Sequence, residues 1–357
     1  MEVSYKIITY AQLRDGYKPE DDKYGIASYE FEARKRIFLA NPNLSDYNKP
    51  YQYIALADGI PVGRDSYYTT LMKFDEEYHV VLSGSSFEVY SDYRKYAFGL
   101  DMLMYYNSGL GYKQLLGSGL STMAVPLHKK LKFTIFPIPT YILRRDIGVF
   151  LQRFGMKGFL LRISSKLLNP LFNIKGTLFC RSEKLEKKFA VIKQTEVPEW
   201  VDDIVLNDGH KYMEVHNYQW FQWNLDHCFD DNIKNHQEFY AIYDSEKPVG
   251  FFMNKIRVTD KKKNILSGTV VEWGTADEHI LSEEYIYKLA LKSFSKDISY
   301  VTIGTLTNNV AKHLKRWGFI KIGDGYIIFK DKEKKYLDAK DVNLWRLRLG
   351  YTDTILS

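Results

Sequence analysis

Short apolar runs separated by polar turns recur along the chain, and some of them recur almost unchanged. Residues 53–63, YIALADGIPVG, read as a strand, a polar turn and a Pro-Val-Gly entry into a second strand. Residues 240–250, YAIYDSEKPVG, read the same way. Farther on, STMAVPLHKKLKF (121–133) and NNVAKHLKRWGF (308–319) each read as a short helix running into a strand. Gly63 and Gly250 are 187 residues apart, and so are Ala124 and Ala311. One offset shared by separate landmarks predicts two copies of a single α/β unit of about 150 residues.

The first copy is placed at 1–145. Within it Phe87 to Tyr90 reads as a strand and Tyr96 to Tyr106 as a helix. Phe133 to Ile142 carries Pro137 and Pro139, which predicts a late or edge strand. Residues 146–195 are expected to form a helical connector. Its apolar and basic first part would be either a helical pair between the domains or a surface-seeking segment. The second copy is placed at 196–330, beginning with the helical VPEWVDDIVL. Tyr218, Trp220 and Trp223 follow as an expected core cluster. The tail, 331–357, is expected to pack back on the body.

Composition narrows the class. The 357 residues are 45% hydrophobic and 26% charged, and 28 Tyr, 21 Phe and 6 Trp give ample surface to bury, which excludes a disordered chain. Two cysteines exclude a disulfide scaffold and a Cys-rich zinc site. His210, His216, His227 and His236 lack metal-ligand spacing, so no metal is expected. The net charge of +6 comes from lysines in dispersed clusters such as Lys129–Lys132 and Lys332–Lys335, rather than one stripe. That argues against a nucleic-acid partner and leaves an anionic small molecule compatible. There is no run of 18 apolar residues and no signal-peptide layout, so the expectation is a cytoplasmic protein without stable membrane insertion. The oligomeric state stays open.

The chemistry concentrates in FEVYSDYRKYAFGLDML, residues 87–103. A strand ends near Tyr90, a polar turn follows, and a helix opens after Arg94, Lys95, Tyr96, Ala97, Phe98 and Gly99. Small residues at 97 and 99 let a ligand approach the backbone. Amides at a helix N-terminus attract anions, and Arg94 adds a cation, so a pyrophosphate fits this corner.

The segment resembles motif A of the GNAT N-acyltransferase superfamily, in which Arg/Gln-x-x-Gly-x-Gly/Ala opens a helix. Here the pattern reads R-K-Y-A-F-G, with Ala97 at the first glycine, Lys95 after the arginine and Ser91 at the usual turn proline. The next motif of that family, Asn-x-x-Ala followed by Leu-Tyr-x-Lys-x-Gly-Phe, is matched in register by Ser121, Ala124, Leu127, His128, Lys130, Lys132 and Phe133. The second copy shows it as Asn308, Ala311 and Lys315 to Phe319. The resemblance covers roughly 25–140 and 200–330 and is similar to tandem-GNAT proteins. It implies two GNAT-fold domains, each a mixed, mostly antiparallel sheet flanked by helices.

It also implies acetyl-CoA or another acyl-CoA as co-substrate and a small primary amine as acceptor. The pyrophosphate would rest on backbone from Arg94 to Gly99. The pantetheine would run along Phe87, Val89 and Tyr90, with Ser121 near the cofactor. His128 stands where many members carry an acidic Tyr, and is the expected acid for the leaving thiolate; Glu88 is the candidate base. The second copy has Leu281 at the 187 offset from Arg94, followed by Glu283 and Glu284, so only the first copy is expected to bind CoA. Two other readings stay open: a catalytically inactive GNAT fold serving as a CoA-binding or interaction module, and a Fem-like aminoacyl transferase.

Overall fold

The protein is described here by a computed structural model. It describes all residues except 154, 180–182, 229–231, 233, 261–264 and 352–357, so the end of the expected tail lies outside the described residues. The first part of the chain runs β1 (Val3–Thr9), α1 (Tyr10–Arg14), α2 (Phe31–Leu39), β2 (Pro50–Ala57), β3 (Ile60–Phe74), β4 (Glu77–Val89), α3 (Phe98–Asn107), β5 (Gln114–Ser118), α4 (Val125–Lys130) and β6 (Thr134–Arg144). Three helices follow: α5 (Ile147–Arg153), α6 (Gly158–Phe179) and α7 (Glu183–Lys188). The second part runs β7 (Phe189–Gln194), α8 (Val201–Leu206), β8 (Tyr212–Glu214), α9 (Tyr218–Asp226), β9 (His236–Asp244), β10 (Lys247–Asp260), β11 (Ile265–Thr275), α10 (Glu283–Ser293), β12 (Ile298–Gly304), α11 (Asn308–Arg316), β13 (Ile320–Asp331) and β14 (Trp345–Arg346).

The repeat is carried by whole elements. α2 begins at Phe31 and α9 at Tyr218, β3 at Ile60 and β10 at Lys247, each 187 residues apart. β7 corresponds to β1 in the same way, and it pairs with β9 as β1 pairs with β2. β7 falls inside the segment read from sequence as a helical connector, yet it is a strand of the sheet.

The two halves share one sheet, ordered β1-β2-β3-β4-β5-β13-β6-β12-β11-β10-β9-β7. β6 and β13 have changed places: β13 pairs with β5, and β6 pairs with β12. Ile138 of β6 faces Gly325 of β13, and these two positions are themselves 187 residues apart. A pseudo-two-fold axis therefore passes between them, normal to the sheet, because only such an axis interchanges neighbouring antiparallel strands. It leaves each face on its own side, so α3 and α4 lie on the same face as their counterparts α10 and α11. Of the two alternatives for 133–142, a late or an edge strand, the structure shows a late strand that is not at an edge. β6 sits at the centre of the sheet, but its pairing with β12 spans only Thr140 to Arg144. Pro137 and Pro139 occupy the part with one neighbour, where a missing N–H is tolerated.

On the other face, α1, α2, α8 and α9 enclose a core joining both halves, with Phe38, Tyr51, Val201, Trp220, Phe221 and Trp223 buried. The Trp223 indole donates to the Ile37 carbonyl, 2.9 Å away, so α9 is fastened to α2 across the halves. The aromatic cluster read from sequence as core is largely buried there.

Candidate active site

β4 and β5 run parallel but touch only at Leu82–Leu115, Ser83–Leu116 and Gly84–Gly117. The ladder ends at Gly84, and β4 continues for five residues beyond it. A cleft of about 290 Å3 opens between the diverging strands. Tyr106 of α3 sets the point of divergence: its hydroxyl donates to the Leu116 carbonyl at 2.5 Å, and its ring lies against Gly84. A Cβ at Gly117 would come within 3.1 Å of Ile328, so glycine allows the close strand packing there.

β4 carries a bulge in this stretch. The ladder with β3 pairs Gly63 with Val89 and Arg64 with Glu88, then resumes at Ser66–Ser85. Asp65 alone stands against Ser86 and Phe87, and Ser86 has a φ of +61°. A bulge interrupts pairing and re-aims side chains. Here it leaves backbone groups beside the cleft.

Of the residues named from sequence, Phe87, Ser121 and His128 line this cleft. His128 is buried, and its Nδ1 lies 2.9 Å from the Ala124 carbonyl. Burial pushes its imidazole below the usual range, with the Ala124 carbonyl opposing. Phe87 is exposed at the rim. Glu88 is elsewhere: alternation turns it with Arg64 to the α1/α2 face, where the two form an ion pair at 3.1 Å. It does not line the cleft, and its carboxylate is engaged.

Val89 ends β4, and its carbonyl accepts from the Arg94 Nε at 2.9 Å. Arg94, Lys95 and Tyr96 continue the turn, with the Arg94 and Tyr96 amides bonded to Ser91 and Tyr93 carbonyls. Tyr90 stacks on Tyr24 at 4.1 Å. The cradle of amides is therefore shorter than the resemblance implies and begins at the helix proper. There Ala97 occupies the N-cap of α3 and offers no side-chain hydrogen bond to the first turn. The amides of Phe98, Gly99 and Leu100 precede the first intrahelical donor. A Cβ at Gly99 would meet nothing closer than Phe87 at 3.5 Å, so its smallness serves space rather than packing.

Asp65 is the residue that the sequence reading passed over. It lies on β3 between Gly63 and Tyr67, lines the cleft and is 2% exposed. Its Oδ2 is buried without a hydrogen-bond partner. Burial holds its carboxyl well above the usual range, and the neighbouring Tyr67 opposes this only in part. The signal was available by comparing the copies: PVGRDSYY at 61–68 stands against PVGFFMNK at 248–255, which puts Phe252 at the offset of Asp65. One half keeps a carboxyl where the other is apolar.

The equivalent opening in the second half is filled. β11 pairs with β12 from Leu266 to Val270, and at Val271 its carbonyl accepts from the Gly350 amide at 2.8 Å. The Leu349 side chain packs so closely on Gly304 that a Cβ there would lie 2.7 Å from it. The chain's own tail thus occupies the second divergence. Beneath it Glu272 is buried among Arg346, Arg348 and His216. Burial alone would raise its carboxyl, but Arg346 and His216 overcome this and hold it at about 2.

No protein-family model matches the sequence, and no curated protein does. Solved structures do match. Saccharomyces cerevisiae N-myristoyltransferase with bound myristoyl-CoA superposes with a TM-score of 0.54 at 10% identity, covering 92% of this chain and 82% of that one. A GCN5-related N-acetyltransferase from Anabaena variabilis gives 0.52 at 8% identity, over 93% of this chain and 73% of that one. A conserved Enterococcus faecalis protein of unknown function gives 0.52 at 10% identity, over 94% and 75%. At such identities the likeness is one of GNAT fold. It agrees with the mixed, mostly antiparallel sheet and its flanking helices.

Proposed function

We propose that the protein is an acyl-CoA-dependent N-acyltransferase, most simply an N-acetyltransferase, acting on a primary amine in the cleft between β4 and β5. The observation that carries this reading is the buried Asp65 carboxyl, whose Oδ2 has no hydrogen-bond partner, in an open cleft beside a helix N-terminus without a side-chain cap. The residues present fit the co-substrate. The α3 amides, with Arg94 and Lys95 nearby, suit a pyrophosphate. The edge of β4 at Ser86 to Glu88, beyond its ladder with β5, suits an extended amide-bearing arm that adds to the sheet. When bound, acyl-CoA supplies an activated acyl group.

The remaining chemistry belongs to the chain. A C–N bond forms between the amine and the thioester carbonyl carbon, and the C–S bond breaks. Backbone N–H groups at the bulge polarise the carbonyl. Asp65 acts as the base: an entering ammonium group lowers its raised pKa, so the carboxyl ionises as the amine binds and then takes the amine's proton. His128, mainly neutral near pH 7, takes the second proton from the nitrogen of the tetrahedral intermediate and, once charged, delivers it to the departing thiolate, directly or by water. Glu88 has no part in this scheme, because Arg64 holds it on the other face. A short acyl group and a compact amine suit a cleft of about 290 Å3 floored by a carboxyl. The two-domain division, with one half catalytic and the other bracing it, belongs to the same proposal.

Calorimetric titration with acetyl-CoA and CoA tests it. Binding of one molecule per chain, followed by acetyl transfer in an amine screen, is the expected result. Binding without transfer to any amine would favour a CoA-binding module, and no binding would remove both readings.

A further inference from the structure

We propose that the face of the sheet carrying α3, α4, α10 and α11 docks on an anionic lipid bilayer, with α6 as its contact helix. This rests on the surface of the molecule and not on the active-site reading. Phe159, Leu160, Ile163 and Leu167 of α6 are 76%, 69%, 41% and 65% exposed. At 3.6 residues per turn they fall within an arc of about 100°. The opposite side of the helix is the covered one: Leu161, Ser164, Ser165, Leu168 and Asn169 are half-buried. A soluble helix of this kind normally reverses that arrangement and turns its apolar stripe inward. An outward stripe of large aliphatic and aromatic side chains marks an interaction surface.

Charge selects the partner. Residues 147–170 contain Arg153, Lys157, Arg162 and Lys166 and no acidic residue. Lys166 is exposed beside the stripe, and Lys157, just before α6, is exposed as well. Apolar side chains set between cations match the boundary of a bilayer rich in anionic headgroups. α6 packs against α11, and so lies on the face shared with α3 and α4. On that same face Leu100 and Met104 of α3, and Met123 before α4, are exposed as well. No helix among the described residues is long and apolar enough to cross a membrane, so the contact is one of lying on the surface.

Co-sedimentation of the full chain with vesicles tests this. Wild type is expected to pellet with phosphatidylglycerol–phosphatidylcholine vesicles and to remain in solution with phosphatidylcholine alone. The surface variant Phe159→Ser/Leu160→Ser/Leu167→Ser should lose binding while keeping the wild-type unfolding curve. Lys166→Gln, which removes no apolar group, should weaken binding about fivefold. The proposal is overturned if wild type ignores anionic vesicles at low salt, or if both variants bind as wild type does. It is equally overturned if sedimentation velocity shows a dimer that the triple variant dissociates and vesicles do not bind, since a second copy would then cover the stripe.

Discussion

The two halves share a fold and differ at each point where the first could hold a ligand. In the first, β4 and β5 part around an open cleft, whereas in the second, β11 and β12 part around Leu349 and Gly350 of the tail. The helix after the fourth strand of the repeat begins uncapped in α3. Its counterpart α10 is capped by Ser282, whose hydroxyl accepts from the Tyr285 amide, and opens with Glu283 and Glu284. Asp65 is a buried carboxyl where Phe252 is core. Duplication supplied two equivalent openings. One kept unsatisfied polar groups, which cost stability and are retained where chemistry needs them. The other filled its opening with the tail.

The sharpest way to break this contrast is at Asp65. Asp65→Asn should lower kcat by about 10²–10⁴-fold, the usual contribution of a positioned base, with the affinity for acetyl-CoA unchanged. The sign of its effect on stability is opposite to that of a salt-bridged carboxylate. Its pKa is raised in the fold, so the folded chain binds the proton more tightly than the unfolded one. That contribution is fully present below about pH 3.9 and is lost as pH rises toward the folded value. The variant should therefore melt higher than wild type at pH 7 and match it near pH 3. Unchanged turnover would remove Asp65 from the mechanism.

The second half should answer to a different measurement. Glu272→Gln removes a fully buried carboxylate that compensates Arg346 and Arg348. Breaking such a pair costs about 3–5 kcal/mol, read as a loss in denaturant or thermal unfolding. Binding of acetyl-CoA per folded molecule should not change. Because Glu272 is held at about 2, its contribution is complete above its unfolded value near 4.5 and declines as pH falls toward 2. His216 runs the other way. Burial alone would lower it, but Glu214 and Glu272 raise it, so its contribution is present below about pH 6.5 and is lost as pH rises through its folded value.

At the anion corner, Arg94→Glu should weaken acetyl-CoA binding by about tenfold to a hundredfold, the range of one hydrogen bond to a charged group. The guanidinium also holds the Val89 carbonyl, so part of that loss is positional. Arg94→Lys separates the two effects. It keeps the charge but lacks the planar Nε donor, and an intermediate affinity is expected.

Much of this organisation was legible in the sequence because a repeat reports itself twice. The Pro-Val-Gly turns and the Ala124 and Ala311 helices fixed the offset, and α2 with α9 later fell on it without having been used. The Arg94–Gly99 corner was legible because helix openings are local. The exchange of β6 and β13 was not, since it leaves each strand's own pattern unchanged and alters only its neighbour. The tail in the second opening was hidden for the same reason: Leu349 and Gly350 have no pattern until their partner is known. Glu88 was the candidate base, but the bulge at Ser86 and the ion pair with Arg64 place it on the other face. Asp65 was overlooked because a single carboxyl in a strand looks like an exposed residue until its burial is seen.

The smallest expected effect lies at the start of α10. Ser282→Ala removes the side-chain cap of that helix and should cost about 1 kcal/mol of stability. It also re-creates in the second half the bare helix opening that α3 has in the first. If an uncapped N-terminus were sufficient for CoA, the variant would bind a second equivalent of acetyl-CoA. The expectation is that it does not. Glu283 and Glu284 still stand in the first turn, where their charge repels a pyrophosphate, and Glu283 is held there by Thr305 and Thr307, each at 2.7 Å. A stoichiometry that stays at one, with a lower melting temperature, would assign the difference between the halves to charge and to the filled opening rather than to the cap.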